Sequence, residues 1–248
     1  MEAQAILFDL GNTLLHYSLH GHWREFLFER LEAVYESVCD GAVSRPVSAQ
    51  VFATVASDVI GGDKSHQLRN RGRSWPFAAR LHEAMAELDL TCDGDRVAQV
   101  IEAFYAPIHA CTSLYPDTLS VLERLRERGV RLAIISDTPW DVPGSCCLRD
   151  MQKWGIDGYF QTTVFSGDRP WRKPNPEVLR TAAQELGVPL GSCLVVGDTL
   201  AAEIAAANTA GIPSIWIDRN GNQQPWEGAT PTAVAGSLSE AMKLAGQT

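Results

Sequence analysis

"AILFDLGNTLL" (residues 5–15) decides how the rest of the chain is read. Four apolar residues run into a single acid, Asp9, and the turn-forming pair Gly11-Asn12 follows almost at once. An apolar run this short suits a strand buried on both faces, as in the middle of a parallel sheet. In open parallel sheets, ligands gather at the carboxyl ends of the strands. A carboxylate in that place belongs to a crevice as readily as it caps a turn.

Four more runs read as buried strands: "VRLAIIS" (130–136), "TTVF" (162–165), "CLVVGD" (193–198) and "PSIWID" (213–218). Helical patterns alternate with them. "DTLSVLERLRERG" (117–129) stops on Gly129. "NPEVLRTAAQELG" (175–187) opens on an Asn cap with Pro176 at the first helical position, and "LAAEIAAANTAG" (200–211) also ends on glycine. Strand and helix in this alternation predict a doubly wound parallel sheet, a Rossmann-like α/β core. The first strand breaks the rhythm, because the stretch after it is mostly helical: 22–38, 49–60, 76–88 and 95–108. "CDGAVSRPVS" (39–48) and "GGDKSHQLRNRGRSW" (61–75) read as loops. The expected organisation is a core of residues 1–15 and 110–248 with a helical insertion at 16–109.

The chain of 248 residues carries a formal net charge of -9, which argues against a nucleic-acid partner. Basic residues do cluster at Arg69, Arg71 and Arg73, a run that reads first as a solvated loop. The six cysteines have no CxxC spacing, and Cys146 and Cys147 are adjacent, too close for an unstrained bridge. The first strand starts too early for a secretory leader, and no apolar stretch approaches the ~20 residues that span a bilayer. A soluble cytoplasmic protein, with no membrane partner, is the expectation.

The polar residues that close the strands are Asp9, Ser136 with Asp137, and Asp198; Lys173 stands just before a helix start. Two carboxylates, a hydroxyl and a lysine suit a phosphate ester and a hard cation. Magnesium takes oxygen ligands and usually only one or two carboxylates, which Asp9 and Asp198 could supply. Ser136 and Lys173 could hold the non-bridging phosphate oxygens. Asp9 is also a natural nucleophile toward phosphorus, through an acyl phosphate.

"FDLGNTL" (8–14), "IISDTP" (134–139), "KPNPEVL" (173–179) and "VVGDTLAAEIAAANTAG" (195–211) resemble, in order and spacing, the four motifs of the haloacid dehalogenase-like (HAD) hydrolase superfamily. The helical insertion resembles that family's α-helical cap, which closes over the site and governs substrate choice. The resemblance implies Asp9 as nucleophile, Ser136 and Lys173 as phosphate-binding groups, and Lys173 as a partner that steadies Asp9. It implies a magnesium ion held by Asp9, Asp198 and the backbone carbonyl of Gly11. The implied reaction is magnesium-dependent hydrolysis of a small phosphomonoester.

Three positions depart from the family pattern. Gly11 stands where family phosphatases carry a second Asp that protonates the leaving group, so good leaving groups should be favoured. Asp137 stands where Asn is more usual, and its charge near the phosphate needs a cation or a turn away. Glu203 replaces a last Asp and is expected in a water-mediated or supporting role. Two alternatives accompany the phosphatase reading: a metal-independent 2-haloacid dehalogenase, and a catalytically weak binding protein on the same fold. His16, His20 and His22 lack the companions of a zinc site, although one of them could stand in as proton donor. Trp140, Trp171 and Trp226 read as core or interface aromatics. Neither GxGxxG nor GxxxxGK[ST] occurs.

Overall fold

Strand β1 (Ala5–Phe8) is buried at every position, with Ile6 and Phe8 packed into one apolar cluster and Ala5 and Leu7 into another. That is the alternation a central strand imposes when both faces of its sheet are covered. The computed structural model describes residues 3–18, 22–39, 47–61, 72–91, 94–221 and 228–247, and for 36–39 the backbone alone. β1 pairs in parallel with β4 (Arg131–Ser136) on one side and β6 (Cys193–Gly197) on the other. β5 (Thr162–Phe165) extends the sheet beyond β4, and β7 (Ser214–Ile217) and β8 (Ala233–Ala235) extend it beyond β6. The order β5-β4-β1-β6-β7-β8, all parallel, is the 3-2-1-4-5-6 order of a Rossmann-like sheet.

Helices cover both faces. α7 (Glu177–Glu185) and α8 (Ala205–Ala210) pack Val178, Leu179, Ala182, Ala206 and Ala207 against the face of Ala5 and Leu7. α5 (Thr118–Glu127), α6 (Gly144–Lys153) and α9 (Leu238–Leu244) contribute Leu122, Met151 and Met242 to the face of Ile6 and Phe8. Asn175 caps α7 as its sequence suggests, its Oδ1 accepting from Glu177 N–H at 3.0 Å.

The stretch after β1 is helical: α1 (Trp23–Cys39), α2 (Ala49–Gly61), α3 (Phe77–Glu87) and α4 (Gly94–Ala110). Most of the two loops read at 39–48 and 61–75 lies outside the described residues, including Arg69 and Arg71, as do His20 and Trp226. The helices leave and rejoin the sheet through a two-stranded antiparallel ribbon, β2 (Leu15–Tyr17) with β3 (Thr112–Leu114). Their apolar residues, among them Leu31, Phe52, Phe77 and Phe104, join the same cluster as Ile6 and Phe8. None of the described helices is long and apolar enough to cross a membrane.

Candidate active site

The strand order reverses at β1, and the carboxyl ends of β1, β4 and β6 open there into a cavity of about 640 Å³. Asp9, Gly11, Ser136, Lys173 and Asp198 all line it. Asp9 follows β1 directly, its N–H donating to Val196 O at 2.9 Å, so it sits one step past the paired register of Phe8 with Val196. The chain then turns sharply at Asn12, whose φ of 55° is left-handed. Arg219 pins the turn by donating to Thr13 O at 2.8 Å. Thr13 Oγ1 donates to Asp9 Oδ2 at 3.3 Å. Ser136 closes β4 and is buried, while Asp198 follows β6 and accepts from Thr199 Oγ1 at 3.3 Å.

Lys173 Nζ bridges two acids, Asp9 Oδ1 and Glu203 Oε1, each at 2.5 Å. Its side chain is 2% exposed, so this ammonium is held among carboxylates away from bulk water. Burial alone would lower its pKa, but Asp9 and Glu203 more than offset that and hold it above the usual lysine range. Burial raises Asp9 to about 6, against the pull of Lys173 and with a further push from Asp198. Asp198 and Glu203 rise to about 7, again chiefly by burial. Glu203 reaches Lys173 directly rather than through water, and its Oε2 accepts from Thr199 N–H at 2.9 Å. Gly197 makes room for it: a Cβ there would fall 2.3 Å from Glu203 Cγ.

Three carboxylates and one ammonium leave the cluster short of positive charge, and the donors facing the cavity are hard oxygens. That chemistry fits a small divalent cation. No group of three or more His, Cys, Asp or Glu side chains among the described residues is arranged to hold a metal. A cation here would therefore rest on the Asp9 and Asp198 carboxylates, with carbonyl, water or phosphate oxygens completing its shell.

The charge of Asp137 is met by a neighbour that the sequence reading did not single out. Arg172 Nε donates to Asp137 Oδ2 at 3.2 Å, and Asp137 Oδ1 accepts the backbone N–H of Lys173 at 3.1 Å. An Asp in place of Asn demands a cation, and an arginine adjoining the key lysine was the available signal. Asp141 was missed as well. It accepts from Ser166 Oγ at 2.6 Å, from Arg172 Nη1 at 3.3 Å and from Trp75 N–H at 3.0 Å. Arg73, Arg80, Tyr17 and Trp140 also line the cavity. His16 and His22 are not among the lining residues, and His16 packs instead on the Tyr115 ring.

Asp9 after β1, Asp198 after β6 and Lys173 from the loop before α7 meet at the switch point of a Rossmann-like α/β sheet. The family model for haloacid dehalogenase-like hydrolases matches residues 3–211, and the chain belongs to that family. It is 32% identical to a phosphoglycolate phosphatase of Vibrio parahaemolyticus, over 98% of this chain and 96% of that one. It is 29% identical to the pyrimidine 5'-nucleotidase YjjG of Escherichia coli, over 96% of both. Among solved structures it shares its fold with a HAD phosphatase of Thermococcus onnurineus, at a TM-score of 0.62, 23% identity and 98% coverage of both chains. A 2-haloacid dehalogenase of Pseudomonas syringae aligns at a TM-score of 0.67 and 19% identity, with 98% of both chains covered.

Proposed function

We propose that this hydrolase is a magnesium-dependent phosphatase acting on a small phosphomonoester through an aspartyl-phosphate on Asp9. The observation that carries the reading is Lys173 Nζ at 2.5 Å from Asp9 Oδ1, in a cavity that also holds Ser136 and Asp198. Lys173 draws Asp9 toward its charged form against the effect of burial and aims it, as a nucleophile requires. The relatives named as phosphoglycolate, glyceraldehyde 3-phosphate and phosphoserine phosphatases support a small phosphorylated substrate.

Ser136 and Lys173 bind the phosphoryl oxygens and draw off the charge that builds on them in the transition state. Asp9 attacks phosphorus, forming a carboxylate-oxygen-to-phosphorus bond as the ester P–O bond breaks, and the departing oxygen takes its proton from solvent because Gly11 supplies none. Water then attacks the phosphorus, the bond to Asp9 breaks, and inorganic phosphate is released. Asp9, Asp198 and the Gly11 carbonyl would hold the magnesium ion, which supplies Lewis-acid charge neutralisation at the phosphoryl group. Residues 16–109 act as a cap over a core made of 1–15 and 110–248. The unbonded cysteines Cys111, Cys146, Cys147 and Cys193 agree with a reducing, cytoplasmic setting.

Phosphate release from p-nitrophenyl phosphate and acetyl phosphate tests this reading. Turnover should vanish with EDTA, return with magnesium, and be absent in Asp9→Asn. Halide release from 2-haloacids without metal would replace it with the dehalogenase reading, and silence on both would leave a binding protein.

A further inference from the structure

The loop after β4 is held in a form its residues resist. Trp140 and Asp141 take φ of 48° and 49°, in the left-handed region that L-residues visit rarely and as single residues. Two in succession need outside support. Part of it is local: Thr138 N–H donates to Ser166 Oγ at 2.9 Å, and Thr138 Oγ1 to Val142 O at 2.6 Å.

The rest comes from the helical insertion. Arg80 on α3 is buried, and its guanidinium donates to the carbonyls of both Ile60 and Trp140. It also stands 4.0 Å from Asp141 Oδ2, the oxygen that accepts Trp75 N–H. A second path leads from Asp141 into the catalytic cluster. Arg172 joins Asp141 to Asp137, Asp137 accepts the Lys173 N–H, and Lys173 Nζ meets Asp9. The two arginines and two aspartates balance in charge. If Arg80 withdraws, Arg172 is left as the one guanidinium shared by two acids, and the loop loses its support at Trp140.

We propose that Arg80 and Asp141 are positioning residues that make the alignment of Lys173 on Asp9 conditional on docking of α3 against the β4 loop. The kinetic consequence rests on the phosphatase reading; the structural consequence does not. Side-chain contacts of this kind carry coupling only where the element between them has two arrangements. Here the second is the β4 loop with Trp140 and Asp141 relaxed out of the left-handed region, whose cost favours that release.

Amide hydrogen exchange on the full-length protein tests the proposal, in wild type, Arg80→Ala, Asp141→Asn and the double variant. Peptides covering 72–80, 137–142 and 170–175 report on the path, and 193–197 serves as control. Each single variant should speed exchange at 170–175 by about tenfold or more. The double variant should do no more than the stronger single, and 193–197 should not change. Acceleration confined to 72–80 and 137–142 would overturn the proposal, as would additive effects at 170–175. In phosphate release, kcat/KM should fall by about tenfold or more with kcat carrying part of the loss, because Lys173 both holds the phosphoryl group and must be aligned on Asp9 in the transition state. A loss in KM alone would count against it. If Arg80→Ala does not fold, Arg80→Lys carries the test, since it keeps the charge and loses the fork that spans two carbonyls. Absent wild-type phosphate release would sink the phosphatase reading and leave the exchange result to judge this one.

Discussion

Gly11 keeps a backbone carbonyl two residues from Asp9 and offers no proton. A Cβ at that position would lie 3.4 Å from Tyr17 Cε2 and 3.6 Å from Cδ2, in ordinary contact with the Tyr17 ring. The ring is fixed in turn, because Tyr17 Oη donates to Asp150 Oδ2 at 3.0 Å. An ester whose alcohol leaves readily needs no acid, and a simple alkyl ester does. The gap in kcat/KM between p-nitrophenyl phosphate and an alkyl phosphate is therefore expected to widen by about 10²–10⁴-fold, the usual size of general-acid help. Steady-state kinetics on the two esters, against a family member carrying Asp at that position, measures it. Similar ratios in both enzymes would mean that another proton donor serves here.

At the scale of elements, the junction between insertion and sheet hangs on one buried acid. Asp150 on α6 accepts from Tyr17 on β2 and from Tyr105 on α4, the latter at 2.6 Å, and His109 Nδ1 lies 2.5 Å from its other oxygen. It is fully buried, so Asp150→Ala would leave two hydroxyls and an imidazole without their partner. Each buried hydroxyl left unpaired costs about 1–3 kcal/mol, read as a lowered midpoint in urea unfolding. Asp150→Asn, which keeps an acceptor, should cost less. Nothing in the sequence near "CLRDMQ" marks Asp150, because a lone acid on a helix looks like a solvated one until its tertiary neighbours are known. Arg80 and Asp141 were hidden for the same reason. The central strands were legible because burial on both faces writes an apolar run. β2, β3 and β8 have three residues each, too few for a period to form. The helix read at 200–211 opens with a π-helical turn over Leu200–Ile204, which side-chain spacing does not reveal. Asp9, Ser136 and Asp198 stood out because each ends a strand; Arg172 had a signal in its neighbour Lys173 and its counter-charge Asp137.

Over the whole molecule, the acidic cluster ties stability to pH, and the magnesium site proposed there would tie it to metal as well. Asp9, Asp198 and Glu203 titrate near 6 to 7 when folded, above their ordinary values of 3.8 and 4.5. Between those limits the folded protein keeps protons that the unfolded chain has released. Their contribution to stability is thus full below about pH 4 and is lost as pH rises through 6 to 7. Lys173, also raised when folded, acts in the same sense but only in the alkaline range: its contribution is intact through neutral pH and is lost as pH rises beyond the usual lysine value of 10.5. Magnesium should recover the loss at pH 7.5. At a hundredfold excess over Kd it adds about 2.7 kcal/mol, a rise in Tm of roughly 5 °C or more. The rise should shrink at pH 5, where the acids are protonated, and in Asp198→Asn. Equal shifts under all three conditions would remove the cluster as the binding site.

The place of β1 between β4 and β6 also bears on how the protein comes into being. A ribosome makes β1 well before either of its neighbours, β4 and β6. Until residue 197 has emerged, Asp9 sits on an apolar strand with at least one edge open to other chains. A message cut short before that point therefore yields no weak enzyme, only a sticky fragment for chaperones or proteases to clear.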